Sequence, residues 1–148
     1  MKEDRLAIEA FPEPEFLEGG APIGAERMLA LFAHAGGIFT GVVVPAIVYW
    51  NRRKRSDFVV RHAREALNHQ ITFGIQILLL LGLGAGVTAI LPIAGLHKMW
   101  SLIAACALTF ILVVLTLIFA TQSTIRACRA AWNGRDYRYP LTLRFIRR

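Results

Sequence analysis

The sequence lacks charged residues where it is most hydrophobic. Lys, Arg, Asp and Glu are absent from three long apolar stretches, which are residues 28–50, 71–91 and 99–121. At about 1.5 Å per helical residue, each stretch can cross roughly 30 Å of hydrocarbon. A charge at the centre of such a helix disfavours insertion by about 2.5–3.5 kcal/mol. The pattern therefore predicts an all-α integral membrane protein with three transmembrane helices.

A secretory signal and a disulfide are also missing. The first 27 residues are acidic, contain three prolines and have no apolar run, so we interpret residues 28–50 as a retained span. The two cysteines, Cys106 and Cys128, would lie about 33 Å apart along one helix, which excludes a bond between them. We expect residues 1–23 to form a disordered acidic tail and residues 24–148 to form the membrane domain.

The basic residues are distributed unequally between the predicted loops. Thirteen of the 17 Lys and Arg residues fall between the first two spans or after the third. By the positive-inside rule, this loop and the C-terminus face the cytoplasm, and the N-terminus faces outward. Anionic lipid head groups attract such residues, so we expect lipid contacts and no nucleic acid. The basic residues chosen for this role are Arg52, Arg53, Lys54, Arg55, Arg126 and Arg129.

The segment between the first two spans has a helix start signal. Ser56 occupies an N-cap position, and Asp57 follows it in the first turn, where the helix dipole favours an acid. Apolar and polar residues alternate with helical period over residues 57–70, which predicts an amphipathic helix at the inner membrane interface. This helix either continues straight into the second span or bends before it. Residues 136–148 have extended-chain patterning, and the last residues as a whole, 133–148, are expected on the cytoplasmic face.

Polar residues near the spans are the candidates for function. His34 lies inside the first predicted span, where a polar group is expected to face the bundle interior and hydrogen-bond another helix, for example at Gln76. His62, Glu65 and His69 project from one side of the amphipathic helix, but the two histidines are about 10.5 Å apart in rise. One ion cannot bind both on a straight helix, so we expect no metal site and no cofactor. The polar positions selected as candidates are His34, His62, Glu65, Asn68, Gln70 and Gln76.

Catalysis has little support in these residues. The sequence suggests no Ser/His/Asp or Cys/His arrangement, and the predicted spans contain no carboxylate for proton-coupled transport. We therefore expect a non-enzymatic scaffold or helper protein with lipid, protein or self-association partners. The rival hypothesis is an oligomeric subunit of a transporter or channel for ions or small solutes, since one three-span chain encloses little volume.

Several strings also resemble a known family. They are LALFAHAGGIF, DFVVRHAREALNHQITF and YRYPLTLRFI. These strings look like the bacterial Tic20-like membrane proteins of unknown function, which are related to the Tic-type component of chloroplast protein import. The resemblance covers most of residues 26–147. It implies a helical bundle in the bacterial inner membrane and a distant link to protein translocation or membrane protein assembly.

Overall fold

The computed structural model describes residues 22–90 and 98–147, and over these residues the chain is all-helical, as predicted. Of the predicted acidic tail (residues 1–23), residues 1–21 lie outside the described residues, as do residues 91–97 and Arg148. The helices are α1 (Gly24–Thr40), α2 (Val43–Arg52), α3 (Asp57–Ile90) and α4 (Lys98–Trp132). Residues 133–147, here called the C-terminal segment, follow α4 without forming a helix.

A sharp turn at Gly41 ends α1. Gly41 has a φ of +60°, which is accessible to glycine but disfavours a residue with a Cβ. The Thr40 hydroxyl donates a hydrogen bond to the Gly36 carbonyl at 2.8 Å and accepts one from the Val44 amide at 3.2 Å. Backbone groups freed by the break thus find partners within the turn.

After this turn, α2 folds back against α1. The Val44 side chain lies so close to Gly36 that a Cβ there would overlap it. Val48 of α2 shares one apolar core with Ala30 and Ala33 of α1. Pro45 is the third residue of α2, where an amide has no partner within the helix, so it is accommodated without a kink.

The prediction that residues 28–50 form a transmembrane helix is therefore wrong. These residues contain most of α1, the turn at Gly41 and most of α2. Hydropathy measures the length of an apolar run but is insensitive to a reversal of direction within it. Within residues 22–90 and 98–147, two helices are long and apolar enough to cross a membrane, and not three.

These two helices are α3 and α4. Their most apolar 18-residue windows have mean hydropathies of 2.1 and 2.9, and only 0% and 6% of the residues in those windows are buried within the protein. Such exposed apolar surface is typical of helices that face lipid. The close contact between the two helices occurs where Gly84 meets Thr109.

α3 begins at Asp57 and runs without interruption for 34 residues. The Ser56 hydroxyl accepts a hydrogen bond from the Val59 amide at 3.4 Å, as expected for an N-cap. The amphipathic residues 57–70 thus form the first part of the same helix as the second predicted span. The interfacial helix and the second predicted span are therefore continuous.

The start of α1 and the end of α4 lie at the same end of the bundle. Gly134, just after α4, packs against Pro22 and Arg27, and Arg61 near the start of α3 pairs with Asp136 at 3.1 Å. We call this the basic end, since Arg52 at the end of α2 and the loop residues Arg53, Lys54 and Arg55 that lead into α3 lie there as well. The expected separation of the two termini depended on a third crossing, which the described chain lacks.

Candidate functional site

The polar face of α3 is covered, although an interfacial helix would be expected to expose it to water and lipid head groups. His62, Asn68 and His69 are buried, with exposed fractions of 1%, 1% and 7%. Helix α1 covers part of this face, and the C-terminal segment covers the rest. Buried polar groups are stable only when they are hydrogen-bonded, so the contacts of these residues matter.

Three side chains from three parts of the sequence form a buried hydrogen-bonded chain. Nε2 of His34 lies 2.8 Å from Nδ1 of His62, and Nδ1 of His34 lies 3.0 Å from the Tyr139 hydroxyl. The direction of donation depends on the histidine tautomers. In either direction, both ring nitrogens of His34 have partners, so this imidazole links α1, α3 and the C-terminal segment.

Tyr139 is also fixed by stacking. Its ring lies parallel to that of His69, with 3.9 Å between centroids and 7° between planes. Burial raises the pKa of the Tyr139 hydroxyl above its ordinary value, and a hydrogen bond with Thr124 only partly opposes this effect. The phenol therefore remains protonated at neutral pH and is available to donate a hydrogen bond.

Asn68 holds the end of the C-terminal segment. Its side-chain amide donates to the Ile146 carbonyl at 3.2 Å, and its side-chain oxygen accepts from the Ile146 amide at 2.9 Å. One turn further along α3, the Thr72 hydroxyl donates to the Asn68 carbonyl at 2.7 Å and accepts from the Leu143 amide at 3.0 Å. The side chains of α3 therefore satisfy backbone groups that have no sheet or helix to pair with.

The structure buries some of the predicted functional residues together and leaves others apart from them. His34, His62 and Asn68 are part of the buried contacts, and Glu65 is buried beside them. The half-buried Gln70 lies against Gly37 of α1, whereas Gln76 is exposed on α3. The hydrogen bond anticipated between His34 and Gln76 is not formed, because His62 and Tyr139 occupy both ring nitrogens of His34.

The residues that sequence reasoning missed are Tyr139, Thr72 and Asp136. Tyr139 lies in the segment that was expected on the cytoplasmic face, but it is 5% exposed and inside the protein. Its hydrogen bond to His34 joins residues 105 positions apart, a distance at which helical or strand periodicity carries no information. The sequence signal for these partners was the concentration of polar residues on one face of α3. Such a face needs hydrogen-bonding groups from another part of the chain if it is buried.

The six basic residues selected for lipid contact belong to the loop between α2 and α3 and to the last two turns of α4. All except Arg52 are exposed, and Arg52 is half-buried. The Arg53 guanidinium lies 4.1 Å from the centre of the Trp50 ring, a cation–π contact that orders the end of α2. Such pairs of aromatic and basic residues are typical of membrane interfaces.

Metal ligands do not converge in the described part of the chain. Residues 22–90 and 98–147 contain no group of three or more His, Cys, Asp or Glu side chains arranged to hold an ion. His34 and His62, the closest pair of potential ligands in the site, are hydrogen-bonded directly to each other. The arrangement suits mechanical coupling of chain segments better than coordination.

Comparison with known proteins identifies the family of this chain. The sequence model of the Magnetosome magnetite crystal formation protein family matches residues 25–146. Neither a curated protein nor a solved structure matches the chain. The inferred resemblance to the Tic20-like family is wrong, since the strings on which it was based fall within the residues that the magnetosome family matches.

Proposed function

Because the chain belongs to the Magnetosome magnetite crystal formation protein family, we propose that it acts in the membrane as a non-enzymatic scaffold during magnetite crystal formation. The observation that supports a scaffold is the fixed C-terminal segment. Hydrogen bonds from His34, Asn68 and Thr72 hold it against the helices, which creates a rigid surface at the basic end. A rigid surface presents its side chains to a partner at a low entropic cost.

A non-catalytic role is supported by the state of His34, the central residue of the buried hydrogen-bonded chain. His34 is 1% exposed, and each of its ring nitrogens already has a protein partner. A general base must reach the proton that it removes, either directly or through one water molecule. The buried chain stabilises the position of a segment and leaves His34 no access to a substrate.

The scaffold role is tested in a magnetite-forming bacterium whose gene for this protein is replaced by genes for two variants. Asn68→Leu releases the end of the C-terminal segment, and Gln76→Leu is the matched control, because it removes an exposed side-chain amide from the same helix. We expect smaller or misshapen crystals with Asn68→Leu and normal crystals with Gln76→Leu, as measured by electron microscopy. Normal crystals from an Asn68→Leu protein present in the membrane at wild-type level would contradict the scaffold.

We propose further that α3 and α4 cross the membrane as a hairpin, with the basic end in the cytoplasm. This orientation is supported by the positive-inside rule, and the two-span architecture puts the start of α1 on that same side. Reporter fusions at Met1 and at Arg148 test it. Both fusions should be active in the cytoplasm, whereas a three-span protein would export the one at Met1.

Anionic lipids are the proposed partners of the exposed basic residues. Each Lys or Arg near an anionic membrane surface contributes about 1 kcal/mol of attraction. Charge removal in the loop by Arg53→Gln and Arg55→Gln should weaken binding to vesicles that contain phosphatidylglycerol. Binding to pure phosphatidylcholine should be unchanged, and equal losses on both vesicle types would indicate misfolding instead.

A further inference from the structure

A groove with five arginines lies between α3 and the C-terminal segment. Two adjoining cavities of about 540 Å³ each share Arg61, Arg64 and Arg138 in their walls. Arg144 and Arg147 complete the wall of one cavity. We propose that this groove, here called the arginine groove, is a binding site for a phosphate group, either on a lipid head group or in solution.

The first argument is charge. Glu65 and Asp136 are the carboxylates in the groove, and the Asp136 carboxylate already pairs with Arg61 at 3.1 Å. Within residues 22–90 and 98–147, the structure gives no ion pair or hydrogen bond to the other four guanidinium groups of the groove. A concentration of cations in a concave surface raises the local concentration of anions. The guanidinium groups of the groove therefore outnumber the carboxylates that could neutralise them.

The second argument is geometry. The arginines of the groove come from two chain segments, α3 and the C-terminal segment, and together they line one cavity. A phosphate directs its oxygens tetrahedrally and can accept hydrogen bonds from both segments at once. A phosphomonoester carries about −1.5 to −2 charges and three acceptor oxygens, whereas a carboxylate carries one charge and two oxygens in one plane. The arrangement therefore favours phosphate over an acidic side chain.

The third argument is rigidity. The wall that carries Arg138, Arg144 and Arg147 is attached to α3 and α1 by the hydrogen bonds of Ile146, Leu143 and Tyr139. The arginine groove is therefore preorganised, although much of its wall has no regular secondary structure. Preorganisation lowers the entropic cost of binding. This inference is independent of the proposed scaffold function, since it requires only the described contacts.

The test compares two variants of the full-length protein in an uncharged detergent. Arg138→Gln removes an exposed arginine from the groove, and Arg135→Gln removes the same charge from an exposed position of the same segment that does not line the groove. Binding of inorganic phosphate is measured by calorimetry at constant ionic strength. Binding of phosphatidic acid is measured by native mass spectrometry, with phosphatidylcholine as the reference lipid. Circular dichroism verifies the fold of each variant.

We expect Arg138→Gln to bind at least one phosphate probe about tenfold more weakly, equivalent to about 1.4 kcal/mol, and Arg135→Gln to change by less than threefold. Dependence on the groove for phosphatidic acid alone identifies a lipid head group, and dependence for inorganic phosphate identifies a soluble ligand. Equal weakening by both variants, or an absence of saturable binding to either probe, would overturn the proposal. So would tighter groove-dependent binding of a glutamate peptide than of phosphate.

Discussion

Asn68 on α3 and Ile146 in the C-terminal segment are joined by two hydrogen bonds, although they lie 78 residues apart in the chain. The Asn68 side chain accepts from the Ile146 amide at 2.9 Å and donates to the Ile146 carbonyl at 3.2 Å. The side-chain amide of Asn68 thus makes the pair of backbone hydrogen bonds that a neighbouring β-strand would otherwise make. The position of the last residues of the described chain depends on this pair.

The first prediction concerns Asn68→Ala. This variant leaves both backbone groups of Ile146 without their partner, and an unsatisfied buried polar group costs about 1–3 kcal/mol. We expect a lower free energy of unfolding in detergent and faster hydrogen exchange at residues 143–147. Gln76→Ala, at an exposed position of the same helix, should change stability by less than about 0.5 kcal/mol. Unchanged exchange in Asn68→Ala would mean that other contacts suffice to hold the segment.

The second prediction is a loss of stability at high pH through Tyr139. Burial raises the pKa of this hydroxyl in the folded protein, so its contribution to stability is fully present below pH 10, the ordinary value. As the pH rises above 10, the unfolded chain ionises first, and stability should fall by up to about 1.4 kcal/mol per pH unit. The decrease ends once the pH passes the raised pKa.

Tyr139→Phe tests this contribution by unfolding measurements between pH 8 and pH 11. The variant should be less stable at neutral pH by about 1 kcal/mol, because it loses the hydrogen bond to His34. Its stability should then fall less steeply with pH than that of the wild type. Parallel curves for the two proteins would show that Tyr139 ionises as easily in the folded state as in the unfolded state.

The local features of the fold were predictable from the sequence. Ser56 caps α3, and α4 ends at Trp132, just before Asn133 and a Gly134 with a φ of +67°. Caps and stop signals act within a few residues, and each depends on the chemistry of one side chain. The all-helical class was predictable too, because long apolar runs without charged residues are also a feature of neighbouring positions in the sequence.

Long-range features were not predictable from one sequence. The alternation of polar and apolar residues on α3 identified a polar face. It did not identify the residues that pack on this face, because Tyr139 and Ile146 come from a distant segment. The reversal at Gly41 had no distinct signal either, since glycine is common in helices that cross membranes. Hence the candidate site was found on α3, and its partners were missed.

The third prediction compares two glycines with opposite expectations. Gly41→Ala introduces a Cβ at a φ of +60°, which should destabilise the protein by about 1–2 kcal/mol and weaken the turn between α1 and α2. Gly74→Ala places a Cβ in open space within a helix, where alanine stabilises by about 0.5–1 kcal/mol relative to glycine. Thermal unfolding of both variants provides the comparison. A stabilised Gly41→Ala would mean that residues 28–50 can straighten into one helix.

The last prediction tests which glycine sets the contact between α3 and α4. Gly82 and Gly86 have the four-residue spacing that is typical of a packing interface between membrane helices, yet a Cβ at either position would meet no atom within 4 Å. A Cβ at Gly84 would overlap the Thr109 side chain. Gly84→Ala should therefore destabilise the hairpin by about 1–3 kcal/mol through overpacking, whereas Gly82→Ala should be tolerated. The combination of Gly84→Ala with Thr109→Ala should recover part of the loss, because it removes the overlapping hydroxyl and methyl groups. If Gly82→Ala and Gly86→Ala are the damaging changes instead, the motif is used by a second helix outside this chain, and α3 packs there through the face that the monomer leaves exposed.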